Sequence, residues 1–290
     1  MSLVRIPQVD SFSDAGIRTL SLALTPWWET PSNVILDLEG CRFLSAEGVA
    51  VLAGFKLFRD TLGYETCLDL DRTSWPVRSN LHKQGFLGLF GGRPAFATGH
   101  SIPVYQQGHY DPGHLIAHIN GNLMARPEMP RMSRDLAREI RRSFVDVFDN
   151  IFTHGESSIG GLVCGQVYPR AKQIQVTFYD VGVGIARKVR ECFHFPTDSK
   201  AISWAMGYGN STLSARSDKP QGLGLYLLRE FLRANKGILR IYANQGYVRA
   251  RHNGEDAFHL SSPVRGTLID LRIRVTGGVV YGFANDARDS

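Results

Sequence analysis

Helix-period and strand-period patterns alternate along this 290-residue chain and predict an α+β protein in two parts. A small α/β domain comes first, and a larger α/β sandwich with helices on one face of a mixed sheet follows it. Three observations lead to this reading. Residues 33–91 run strand, helix, strand, helix. Residues 91–131 change texture to Gly, Pro and His. From Ser133 onward a long amphipathic helix precedes a hairpin, further helix and strongly alternating strands. The predicted boundaries are 1–91 for the first domain, 92–131 for a linker, 132–276 for the second domain and 277–290 for a C-terminal tail.

In the first domain NVILDLE (33–39) is a short apolar strand, and SAEGVAVLAGFKLFRDTLG (45–63) recurs as an amphipathic helix ending at Gly63. YETCLDLD (64–71) is a second strand and WPVRSNLHKQGFLGLF (75–90) a second helix. The linker carries a short helix or arm, because a long structureless stretch inside one compact domain is uncommon.

The second domain opens with a helix capped by Ser133, with Asp135 in its favourable first turn. Leu136, Ile140, Phe144, Val147, Phe148 and Ile151 converge on one face. Asp146, Asn150 and His154 recur at intervals of four and stand on the border of that face, where a pocket wall belongs. GLVCGQVYP (161–169) and QIQVTFYD (173–180) then form an antiparallel hairpin across PRAK, and Ile174, Val176 and Phe178 alternate with polar neighbours. The strands ILRIYA, YVRARH and GTLIDLRIRV complete the pattern, separated by turns at NQG and NGED.

Composition narrows the function classes. With 43% hydrophobic and 21% charged residues the chain is an ordinary globular protein. No stretch approaches the roughly 18 uninterrupted apolar residues of a membrane span, and the first residues lack the apolar block of a secretory signal. A soluble, cytoplasmic protein is the expectation. Cys41, Cys67, Cys164 and Cys192 form no C-x-x-C pair, and His114 and His118 are framed by no metalloprotease motif, so no zinc is assigned. The formal charge of +6 is scattered, and the densest cluster, RDLAREIRR (134–142), mixes both signs along a helix. That is a solvated surface rather than a nucleic acid stripe, so neither nucleic acid nor membrane is an expected partner.

Four features follow one another in the second domain. The first is the Asp146, Asn150 and His154 stripe. The second is Asp180 at a strand end, with Gly182 and Gly184 in the turn behind it. The third is Gly222, Leu223 and Gly224 at a helix start, whose unpaired N–H groups suit phosphate oxygens. The fourth is Gly266-Thr267 at the last strand. Residues 186–221, polar and glycine-containing, have the composition of a mobile lid. Walker and dinucleotide motifs fail on spacing.

In this order the features of residues 133–275 resemble the GHKL ATPase family of gyrase, Hsp90, MutL and histidine kinases, most closely its bacterial anti-sigma serine kinase branch. The resemblance implies ATP and Mg²⁺, with Asn150 as the Mg²⁺ ligand. It implies that Asp180 accepts a hydrogen bond from the adenine amino group while Gly182 and Gly184 line the base. By the same resemblance Gly222 and Gly224 would hinge the lid and meet the phosphates, Thr267 would support the adenine site, and His154 matches a histidine of that branch. Where the family carries Glu four residues before the Asn, this chain has Asp146, one methylene shorter, as the candidate catalytic base. Asp149 is a poor substitute, since it lies about 100° further round the helix.

Residues 3–91 more diffusely resemble a STAS domain, the fold of anti-sigma-factor antagonists. That family carries Asp-Ser-Ser-Gly at the head of its first long helix, the first Ser receiving phosphate. Here the row reads Ser45, Ala46, Glu47, Gly48, without a hydroxyl at the acceptor position, and Ser45 reads as a helix cap. Together the resemblances imply an ATP-binding regulator, an anti-sigma-type serine/threonine kinase acting on a STAS-type antagonist or a sigma factor, and leave a homodimer open. The alternative is a nucleotide-gated interaction module with little catalysis. A histidine autokinase is disfavoured, because 91–131 cannot supply two long helices.

Overall fold

The computed structural model describes residues 1–10, 14–92, 99–212 and 222–286. Within them the protein is mixed α+β with eight α-helices. In the N-terminal part β1 (Ser2–Arg5), β2 (Val34–Asp37) and β3 (Thr66–Asp69) form a parallel sheet in that order. Parallel neighbours need crossovers, supplied by α1 (Ala15–Leu24) and α2 (Ala46–Thr61); α3 (Trp75–Lys83) follows β3.

The second sheet has five strands in the order β4 (Ser101–Gln107), β6 (Gly161–Tyr168), β7 (Gln173–Asp180), β9 (Gly254–Arg274), β8 (Ile238–Arg251). Every neighbouring pair is antiparallel, which corrects the mixed sheet expected from the sequence. The helices between β7 and β8 bring β8 back in the same direction as β7, but β9 fills the place between them.

The span read as a linker contributes to this sheet. β4 is its edge strand, and Ile102, Leu115, Ile119, Leu123 and Met129 are buried in the same core as the long helix α5 (Arg134–Asn150). α4 (Pro112–Ile119) is capped by Asp111, whose carboxylate accepts the His114 N–H at 3.1 Å. Pro103 hid the strand from pattern reading. It is tolerated because β4 lies at the edge, and the register breaks between Ile102 and Tyr105. The tail also pairs: β10 (Val280–Tyr281) lies parallel to β5 (Arg131–Met132). The expected turn at NQG is a register break within continuous β8, with Asn244 at φ 54°.

Alternation on β7 divides the molecule into two cores. Ile174, Val176 and Phe178 face the helices α5, α6 (Ile185–Cys192), α7 (Asp198–Ala205) and α8 (Gly224–Asn235), whereas Tyr179 and Val181 face the N-terminal part. Both faces are therefore covered, one by helices of the second domain and one by α1 and α2. From Ala46 to Phe55 every residue of α2 is buried, as a helix enclosed between two sheets requires. Small residues set the spacing: a Cβ on Gly54 would lie 2.4 Å from the Tyr179 ring.

At this back face α2 inserts Glu47 into a buried charge cluster. Its carboxylate lies 3.3 Å from Arg272 and 3.7 Å from Arg240. Both guanidiniums also pair with Asp270, at 3.1 and 3.2 Å, and Asp270 accepts from Gln175 at 2.6 Å and Thr177 at 3.0 Å. Burial, then the neighbouring Asp270, pushes the Glu47 carboxyl well above the usual carboxylate range. Ser45 stands at the N-cap position of α2, but its hydroxyl makes no capping bond. It is fully buried with no hydrogen-bond partner among the described residues, which corrects the capping role read from the sequence.

Candidate functional site

The front of the second sheet carries a cleft of about 310 Å³ between α5, the end of β7, β9 and the start of α8. α5 is capped as expected, Ser133 Oγ accepting the Leu136 N–H at 3.2 Å. It ends at Asn150 and continues as a π-helical turn, Ile151–Gly155. Such turns recur at functional sites because they re-aim side chains without ending the helix. Asp146, Asn150 and His154 all border the cleft, together with Asp180, Gly222, Leu223, Gly224 and Thr267. Eight of the eleven residues in the four sequence features therefore meet in one place.

Gly182 and Gly184 do not line the cleft; they shape the turn beneath it. A Cβ on Gly182 would sit 1.7 Å from the Gly155 carbonyl oxygen, so only glycine lets the β7 end approach the π turn this closely. The Gly182 N–H donates to Asp180 Oδ1 at 2.8 Å. Gly184 adopts φ 85° in front of α6. Of the expected lid, α6 and α7 occupy much of 185–205, and 213–221 lie outside the described residues.

The register Asp180↔Thr267 joins the inner end of the cleft. Thr267 Oγ1 accepts the Ile185 N–H at 2.9 Å and donates to the Asp180 carboxylate. Burial pushes the Asp180 pKa up to about 7 against these hydrogen bonds. No cation pairs with Asp180 among the described residues. At the outer end α8 begins at Gly224 with no side-chain cap among the described residues, and the first N–H groups of a helix have no partner within it. A Cβ on Gly224 would lie 2.9 Å from that of Asp146. α8 therefore starts against the α5 stripe.

Burial raises the Asp146 pKa, opposed by Arg142, and raises that of Asp149, opposed by His154. Burial lowers His154, helped by Lys188. The cleft thus gathers carboxyls whose pKa burial raises, beside an Asn150 side chain that makes no hydrogen bond among the described residues. No group of three or more His, Cys, Asp or Glu side chains forms a metal nest among the described residues. A divalent ion here would rest on few protein oxygens and on its ligand's own anions, which is how Mg²⁺ is commonly held.

Reading the stripe alone missed Arg142, Asp149, Lys188, Asn210 and Thr212, which also border the cleft. Asp149 was set aside by helical angle, but the cleft embraces a wide arc of α5, from Arg142 through Asp149. Arg142 and Asp149 are adjacent to the stripe and Lys188 follows the glycine turn behind Asp180; Asn210 and Thr212 carried no signal beyond the polar, glycine-containing texture of their segment. No helix among the described residues is long and apolar enough to cross a membrane. No family model and no curated protein matches this chain.

Proposed function

We propose that the cleft binds ATP with Mg²⁺ and that the chain is a GHKL-type serine/threonine protein kinase of the anti-sigma type. The observation that carries this reading is the convergence of three features on one concave surface: the Asp180 carboxyl at a strand end, Asn150 on α5 and the uncapped start of α8. A buried carboxyl with no cation partner suits an amino group of a base, and free N–H groups at a helix start suit phosphates.

Asn150 would hold Mg²⁺, an oxygen donor for a hard cation; the ion's contribution is neutralisation of phosphate charge. Asp146 orients the incoming hydroxyl, and burial raises its proton affinity toward that of a useful base. The acceptor serine belongs to a separate STAS-type partner, because Ser45 of the attached N-terminal part is fully buried. Calorimetric titration with ATP and ADP, with and without Mg²⁺, tests the reading. Binding of both, strengthened by Mg²⁺ in an Asn150-dependent way, is expected, and absence of binding at millimolar nucleotide rejects it.

The shorter reach of Asp146 favours a second reading, a nucleotide-gated interaction module with little turnover. Turnover that is slow and indifferent to Asp146→Ala supports it. A rate gain in Asp146→Glu supports the kinase.

A further inference from the structure

The cleft has two distinguishable ends. Gly155 marks the inner one, where a Cβ would lie 3.6 Å from the Asp180 carboxyl carbon. Asp146 and Gly224 mark the outer one. α5 rises about 1.5 Å per residue, so Asn150, Asp146 and Arg142 step outward along one stripe at intervals of about 6 Å. A nucleotide with its base at Asp180 and its cation at Asn150 therefore directs its last phosphate toward Asp146 and Arg142.

Two cations border the cleft among the described residues, Arg142 and Lys188. Lys188 is committed: it donates to Glu156 and lies 3.4 Å from Glu191. Arg142 reaches Glu139 and Asp146 only at 4.0 Å each, and its side chain is 58% exposed. At that separation neither contact is a hydrogen bond, so the planar fork of donors keeps its capacity for phosphate.

We propose that Arg142 recognises the terminal phosphate of a nucleoside triphosphate and makes the site discriminate triphosphate from diphosphate; this rests on the nucleotide reading above. A diphosphate ends short of Arg142 and gains nothing from it.

Calorimetric titration of the full chain with ATP and with ADP, both with Mg²⁺, tests the assignment. The unaltered chain is expected to bind ATP more tightly than ADP. Arg142→Ala should weaken ATP by about tenfold or more, as loss of a charge-assisted contact does, while ADP stays within about twofold. Arg142→Lys should fall between, keeping the charge but losing the fork. Equal weakening of both nucleotides, or no weakening of ATP, overturns the assignment while ADP binding keeps the nucleotide reading standing. Failure of the unaltered chain to bind ADP or ATP overturns both. A thermal melt confirms that the variants are folded.

Discussion

The two faces of the central sheet carry carboxylates in opposite circumstances. On the back, Asp270 is fully buried and receives Arg240, Arg272, Gln175 and Thr177. On the front, Asp180, three residues from Thr177 on the same strand, is also buried but among the described residues meets neutral donors, the Gly182 N–H and the hydroxyl and backbone N–H of Thr267. A buried anion with its charge matched is part of the scaffold. One held by neutral donors leaves room for a ligand, and at Asp180 burial outweighs those donors and raises the pKa.

The strongest way to break this contrast is Asp270→Ala, which removes the carboxylate shared by two buried guanidiniums and leaves Glu47, among the described residues, as the one acid that still reaches both. Loss of about 3–5 kcal/mol is expected, read by chemical denaturation; a loss below about 1 kcal/mol would show the cluster to be dispensable. Glu47→Gln sharpens the point, because burial already favours the protonated carboxyl and an amide replaces it closely. Its cost should stay well under that of Asp270→Ala in the same assay.

The next effect concerns pH. The Asp180 pKa is raised in the folded chain to about 7, above an unfolded value of about 3.9. Folding therefore takes up a proton there. This contribution to stability is fully present below about pH 4 and is lost as pH rises to about 7, on the order of 4 kcal/mol in all. Asp180→Asn should flatten that part of the stability profile while weakening ATP and ADP together. An unchanged slope in the variant would place the titration elsewhere.

Two glycines compare the faces sterically. Gly54→Ala meets the Tyr179 ring on the back and Gly182→Ala meets the Gly155 carbonyl on the front. Overpacking costs typically about 1–3 kcal/mol, so both variants should melt earlier. Only Gly182→Ala should also weaken nucleotide, since it displaces the turn that holds Asp180. Equal binding by both variants would mean that the turn is not part of the site. The smallest stability effect belongs to Asn150→Ala. This residue is exposed, so the change should stay within about 0.5 kcal/mol and show only as lost Mg²⁺ dependence of nucleotide affinity.

Much of the candidate site was legible because its signals are local. The four-residue spacing of Asp146 and Asn150, the Asp180 strand end and the Gly222–Gly224 helix start each lie within one element, and each element formed as its pattern predicts. Asp149 escaped because the breadth of the cleft depends on the elements facing α5. The edge strand β4 escaped because its partner β6 lies more than fifty residues away and Pro103 breaks its pattern. The enclosure of α2 left a trace, an almost unbroken run of small and apolar residues from Ala46 to Phe55, which fits a helix buried on all sides better than an amphipathic one.

The sequence alone determined the periodic elements, the cap at Ser133 and the polar stripe of α5, since backbone geometry and nearest-neighbour chemistry suffice for these. Only the tertiary structure decided that Ser45 is sealed, that Glu47 joins Arg240 and Arg272, and that the front cleft is left open. Those outcomes depend on which surfaces meet across the sheet, and burial of a charge or hydroxyl takes its meaning from partners distant in the chain.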